Sequence, residues 1–160
     1  MNSDLDRLAS SYARLSKDVG GRIDFCCDLN SDDALNVALL EKDHLDQAFF
    51  ILSFAALGKQ ITLLASANEE EQERRRAMRA SPFEKRLESA VRVAYDKLGA
   101  SPDWIERESD INSWYRVRKD IAHGDSPTRL FDVPPVIALA DRIASTLEQV
   151  TRTTSIANPT

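Results

Sequence analysis

Apolar side chains recur at intervals of three or four residues along almost the whole chain, the spacing that places them on one face of an α-helix. Leu5, Leu8, Tyr12, Leu15 and Val19 form the first such stripe. Ser3 is placed to cap it, and Asp4 and Asp6 follow in the first turn, where acids favour the positive end of the helix dipole. Gly20-Gly21 is expected to end this helix. Ile23, Phe25 and Cys27 then alternate with polar or small residues, so Arg22–Asn30 is expected to be irregular or a short extended piece.

A cap cluster, Ser31-Asp32-Asp33, opens the longest element, and no glycine or proline interrupts Ala34–Leu57. Leu35, Leu39, Leu45, Phe49, Leu52, Ala56, Leu63 and Leu64 lie close to one face if the helix runs on through Gly58. Its middle is apolar most of the way round, as in a helix at the centre of a bundle. Glu69–Arg79 is dense in charge, with Glu70–Arg74 and Glu71–Arg75 at i,i+4 in the favourable order. It reads as a solvated helical extension. Arg74, Arg75, Arg76 and Arg79 are therefore better explained as a self-neutralised face than as a nucleic-acid patch.

Ser81-Pro82, with Glu84 after it, has the form of a helix start. Phe83, Leu87, Val91, Ala94, Tyr95 and Leu98 mark the buried face of that helix, and Gly99 stops it. Ser101-Pro102 opens a short helical turn holding Trp104 and Ile105, and a further helix covers Asp110 to His123, stopped by Gly124. Asp132, Val133, Pro134 and Pro135 open a last helix with Val136, Leu139, Ile143 and Leu147 on one face. No internal repeat and no second domain is visible. The expected fold is an all-α bundle of about five helices over residues 1–150. Residues 151–160 are expected to form a polar, flexible tail.

Composition adds limits to this picture. Hydrophobic residues make up 42% and charged residues 29%, a balance typical of a folded globular chain rather than a disordered one. Cys26 and Cys27 are adjacent, which excludes a disulfide framework and fits a reducing compartment. No basic start followed by an apolar run marks a signal peptide, so a cytoplasmic location is expected. The longest apolar run, Ala48–Leu57, is about half the roughly 20 residues a membrane span needs, and no membrane role is expected. The net charge is −5, which argues against nucleic-acid binding through global charge. The charge is uneven, however. Residues 1–72 carry 6 basic and 13 acidic side chains, whereas Arg74–Lys119 carries 12 basic and 7 acidic ones. A local basic face is compatible with an acidic whole.

The candidate chemistry lies in Trp114-Tyr115-Arg116-Val117-Arg118-Lys119-Asp120-Ile121-Ala122-His123-Gly124. On a helix, Ile111, Trp114, Val117, Ile121 and Ala122 span one apolar arc, and Arg118 projects into the middle of it. A guanidinium there has to be paired, hydrogen-bonded or facing an opening, because burying it bare is prohibitive. His123 is the last residue before the terminating glycine, where the negative end of the dipole favours its protonated form and suits proton transfer. An arginine able to grip a phosphate, near such a histidine, fits a phosphodiester site. The two point about 140° apart on an ideal helix, so they converge only if the last turn loosens or a dimer shares the site. The competing reading is structural: Arg118 tied to Asp43, Asp46 or another buried carboxylate, with His123 capping its helix. Arg116 shares the side of His123 and either meets a phosphate backbone or faces water. Trp114 is explained by core packing, whereas Tyr115 lies off the arc and is freer to stack on a base.

Other chemistries find little support. Only His44 and His123 are available to partner the cysteines or to bind a metal, and a zinc site needs about four ligands. His44 reads as a boundary residue of its helix. Gly20-Gly21 lacks the lysine and spacing of a P-loop, and no dinucleotide-binding fingerprint occurs. No metal and no cofactor is expected.

The string Arg118-Lys119-Asp120-Ile121-Ala122-His123-Gly124 resembles the signature of the HEPN superfamily: an arginine, four to six residues, then a histidine, at the end of a late helix in an all-helical domain. Pro82–Leu87 leading to Leu98-Gly99 is similar to the helix preceding that motif, and the apolar helix containing Phe49–Leu64 resembles the family's central helix. The likeness extends from about residue 34 to 150, but only the short motif is diagnostic. The resemblance implies a HEPN-like bundle and a metal-independent endoribonuclease, often the toxin of a toxin–antitoxin or defence system. It implies RNA as substrate, a homodimer whose two motifs line one cleft, and an antitoxin or regulatory protein as partner. Carried over, Arg118 stabilises the phosphorane charge and His123 is the general acid or base, while Arg116, Lys119 and Tyr115 are expected to bind RNA. Lys119 stands where the family usually has a small polar residue, most often Asn. It adds charge for phosphate and lacks the amide's positioning hydrogen bonds. Other members of the superfamily bind nucleotides or proteins without catalysis, and that alternative also fits the acidic composition.

Overall fold

Ser31 and the two aspartates after it mark the start of the longest helix as their sequence suggests, and the rest of the fold is arranged around that helix. The computed structural model describes residues 3–29, 31–67, 76–78, 80–125 and 131–157, with side chains to residue 153. Among the described residues the architecture is all-α: α1 (Ser3–Asp28), α2 (Asp32–Ala65), α3 (Phe83–Leu98), α4 (Glu108–His123) and α5 (Val133–Ala157). One 3-10 turn, Ile105–Arg107, leads into α4. Residues 76–78 are helical and Arg76 is exposed; Arg74, Arg75 and Arg79 lie outside the described residues.

α2 touches each of the other four helices. Phe50, Leu57, Ile61 and Leu64 on it are fully buried, each contributing about 1.5–3 kcal/mol of apolar burial. They meet Leu87 and Ala90 of α3, Ile111 and Val117 of α4, and Val136, Ala140 and Ile143 of α5 in one continuous core. α1 is fastened to the side of α2 by a polar link. Tyr12 donates a hydrogen bond to Asp46 Oδ1 at 2.9 Å, and Lys42 Nζ donates to the other oxygen of the same carboxylate. Tyr12 and Phe49 pack ring to ring beside it, with centroids 5.3 Å apart.

Five expectations from the sequence are corrected, the simplest being Tyr95, expected on the buried face of α3 and found exposed. α1 does not stop at Gly20-Gly21 but runs to Asp28, so Arg22–Asp28 is helical. A glycine stops a helix where it turns left-handed, and among the described glycines only Gly99 and Gly124 do so, with φ 69° and 78°. The buried face of α2 is also different. Leu39, Leu52 and Leu63 are exposed, whereas Ala38, Phe50, Phe54, Leu57, Ile61 and Leu64 are inside. A helix apolar all round carries no periodic signal to choose its face; its neighbours choose. Ser81 does not cap α3: its hydroxyl donates back to the Ala77 carbonyl at 3.0 Å, and the helix begins at Phe83. Finally, α5 continues past residue 150 to Ala157, since Thr151–Ala157 contains no glycine or proline to break it; the Thr151 and Thr153 hydroxyls donate to carbonyls one turn back.

The extended α1 and the start of α2 form a hairpin that leaves Phe25, Leu29, Val37 and Leu40 more than half exposed. α2 is long and apolar enough to cross a membrane by length and composition, but half of its most apolar window is buried inside the protein. Cys26 is half-buried, Cys27 is exposed and both are free thiols.

Candidate functional site

α4 starts after the buried Trp104, whose indole N–H donates to Thr146 Oγ1 of α5 at 3.1 Å. Burial of Ile111, Trp114 and Val117 fixes which side of α4 faces the core. Tyr115 is then turned towards α3, where it stacks on Phe83 with centroids 4.8 Å apart and planes 15° from parallel. Phe54 of α2 closes the cluster, 5.3 Å from Phe83 and 6.1 Å from Tyr115. Three helices therefore meet in aromatic contacts, and a groove of about 520 Å³ opens beside them.

Ile51, Phe54, Ala55, Gly58, Lys59, Thr62 and Leu63 of α2, Phe83 and Arg86 of α3, and Tyr115 and Arg118 of α4 line that groove. Its floor is apolar and it holds three cations, Lys59, Arg86 and Arg118, with no carboxylate among the lining residues. Arg118 resolves the conflict seen in its apolar arc by facing this opening, exposed. The carboxylates considered as its structural partners are engaged elsewhere: Asp46 with Tyr12 and Lys42, and Asp43 with Gln47. Among the described residues, Arg118 makes no ion pair.

Arg86 is held more firmly. Its Nη1 donates to Thr62 Oγ1 at 2.9 Å, and its guanidinium lies 5.7 Å from the centre of the Phe83 ring. Its Nε is buried and lacks a hydrogen-bond partner among the described residues. Neither Lys59 nor Arg86 stands out in the sequence, because they lie 27 positions apart and only the packing of α3 on α2 brings them to one groove.

The remaining candidates occupy a different side of α4. α4 keeps its helical course to His123 and ends in a Schellman motif, with Gly124 N–H bonded to the Ile121 carbonyl at 3.1 Å and Asp125 N–H to the Asp120 carbonyl at 3.0 Å. The last turn is not loosened. Arg116, Lys119 and His123, at i, i+3 and i+7, therefore form one exposed stripe, and Arg118 is not on it. Lys119 lies between the two faces, with Nζ 5.8 Å from the centroid of the Tyr115 ring. Tyr115 is half-buried and engaged by both Phe83 and Lys119, so a base reaching it has to displace one of them. The structure thus brings Tyr115 and Arg118 together, and separately Arg116, Lys119 and His123. One chain does not bring Arg118 and His123 into a single site.

Among the described residues no three His, Cys, Asp or Glu side chains gather as a metal site. No family model, no curated protein and no solved structure matches the chain.

Proposed function

We propose that the chain is a metal-independent endoribonuclease of HEPN type, working as a homodimer in which Arg118 of one copy and His123 of the other serve the same phosphodiester. The observation that carries this reading is Arg118 itself: an exposed arginine, unpaired among the described residues, on a groove whose lining holds two further cations and no acid. A guanidinium kept open in that way is placed to accept a phosphate through paired N–H donors. His123 is exposed one and a half turns later at the end of the same helix. It lies off the face of α4 that lines its own groove, so in this reading it serves a partner's substrate.

In this mechanism the 2′-hydroxyl of RNA attacks the adjacent phosphorus, and the P–O5′ bond breaks to leave a 2′,3′-cyclic phosphate and a 5′-hydroxyl. His123 moves the proton, taking it from the 2′-hydroxyl or giving it to the departing 5′-oxygen. Arg118 stabilises the charge that builds on the phosphorane oxygens. Lys119 and Arg116, on the stripe with His123, hold the flanking backbone.

A second reading, a non-catalytic HEPN-like module binding a nucleotide or a protein, is favoured by the separation of Arg118 and His123 within one chain. The deciding experiment incubates wild type and His123→Ala with a mixed RNA pool in the presence of EDTA and analyses the new ends. Cleavage by wild type alone, leaving 2′,3′-cyclic phosphates, supports the nuclease. A folded wild type that binds the pool and never cuts it supports the binding module. Toxicity on expression, relieved by Arg118→Ala or His123→Ala, ties the nuclease to a toxin or defence role.

A further inference from the structure

Arg86 is the described residue with a buried side-chain nitrogen that meets no acceptor. It projects from the first turn of α3 into the groove beside Arg118, yet no carboxylate lies within ion-pair distance of it among the described residues. Withdrawing a guanidinium partly from water without a counter-charge is unfavourable, and leaving one of its N–H groups unmet adds to that cost. The local packing nevertheless fixes it: Thr62 Oγ1 holds Nη1 and the Phe83 ring supports the plane. What is fixed is a preformed donor set with the Nε edge left unused.

We propose that Arg86 is the anchor of a second phosphate subsite, which binds an RNA phosphodiester neighbouring the one at Arg118. The charge of the groove points to a polyanion. Lys59, Arg86 and Arg118 carry three positive charges with no acid among the lining residues, more than one carboxylate or a single phosphodiester offsets. A strand with a phosphate at every nucleotide meets all three. In this subsite the guanidinium rotates to uncover its Nε and Nη2 edge for two phosphate oxygens, the paired geometry that arginine forms and lysine does not. The floor formed by Ile51, Ala55 and Leu63 gives the sugar or base between the two phosphates an apolar surface to pack on.

This subsite rests on the reading that the groove takes RNA, but binding and cleavage can be tested apart. Binding of a fluorescent single-stranded 12-mer RNA is measured by anisotropy across a salt series, with His123→Ala present throughout so that no strand is cut. Arg86→Met keeps the aliphatic stem over Phe83 and removes the charge. It is expected to weaken binding at least about tenfold and to lower the slope of log K against log salt by about 0.7, the value for one lost phosphate contact on a single strand. Arg86→Lys is expected to bind several-fold more weakly than the parent at an unchanged slope, and it provides the reading if the methionine variant does not fold. A purely structural role for Arg86 lowers the melting temperature and leaves the salt slope of the folded variant intact. Unchanged affinity and slope in Arg86→Met, or no binding of the 12-mer by the His123→Ala parent, overturns the subsite. Tight binding that depends on Arg86, with no cleavage by wild type, retains the subsite and removes only the nuclease.

Discussion

Arg118 and His123 leave α4 in directions about 140° apart, because five residues separate them on a helix that stays regular up to Gly124. The proposed homodimer closes that gap by pairing Arg118 of one copy with His123 of the other, and such sharing has a signature in mixing experiments. Arg118→Ala and His123→Ala are each expected to lose cleavage when pure. Mixed in equal amounts and allowed to exchange, half the dimers become heterodimers, and each contains one centre with both residues intact. About a quarter of wild-type activity is expected to return. A mixture as inactive as its components argues that both groups act within one chain or not at all. Both side chains are exposed, so each variant is expected to stay within about 0.5 kcal/mol of wild-type stability.

A hydrogen bond deep in the core joins the turn before α4 to α5. Trp104 is fully buried and donates to Thr146 Oγ1, whose own hydroxyl donates to the Arg142 carbonyl at 3.1 Å. Thr146→Val keeps the shape and leaves the indole N–H without an acceptor. The expected cost is about 1–3 kcal/mol, which in a chain of this size lowers the melting temperature by about 2–4 °C per kcal/mol. In a Trp104→Phe background the same substitution is expected to cost much less, since the unmet donor is gone. Thermal melts of the four proteins in this cycle measure the coupling, and additive losses rule out the bond as its source.

Tyr12 makes the contact of α1 with α2 sensitive to high pH. Burial of its hydroxyl, then the hydrogen bond to Asp46 and the negative charge of that carboxylate, push its pKa from 10.0 up to about 12. The folded protein holds the proton that the unfolded chain begins to release near pH 10. The stabilisation is therefore complete below pH 10 and is lost as pH rises from 10 through 12. The difference in unfolding free energy between wild type and Tyr12→Phe is expected to narrow over that window. Urea titrations at pH 8, 10, 11 and 12 measure it, and a constant difference contradicts the linkage.

What the sequence conveys about this fold follows from how local each signal is. The start of α2 after Ser31 and the stops at Gly99 and Gly124 are legible because helix ends are decided by a few adjacent residues. Gly99 and Gly124 take the left-handed conformation their positions suggest. Ser31 takes the N-cap position with extended backbone, though its side chain makes no capping hydrogen bond. The apolar arc of α4, and the need for Arg118 to face an opening, are legible for the same reason. The buried side of α2 is not, since Leu39, Leu52 and Leu63 are as apolar as Leu57 and Leu64 and only the neighbouring helices separate them. Lys59 and Arg86 become site candidates only after α3 has packed on α2. Tyr115 is the instructive intermediate. It lies off the core arc, as its position implies, but stacking on Phe83 occupies the ring surface that a base would use.

The passage of α1 through Gly20-Gly21 yields a prediction opposite in sign to the one the sequence alone suggests. A glycine that ends a helix at positive φ is damaged by any side chain, and Gly124, at φ 78°, is such a position. Gly20 and Gly21 instead lie inside a helix that continues to Asp28, and a Cβ added at either meets no atom within 4 Å. An interior helical glycine costs about 0.5–1 kcal/mol relative to alanine, mostly through the backbone freedom it loses on folding. Gly20→Ala and Gly21→Ala are each expected to stabilise the protein by about that amount, and the double variant by about the sum. Gly124→Ala is expected to destabilise by about 1 kcal/mol and to loosen the turn that presents His123. Urea denaturation of the four variants checks both signs. Destabilisation by Gly20→Ala or Gly21→Ala means that α1 breaks there in solution, and the exposed hairpin of Phe25, Leu29 and Leu40 goes with it.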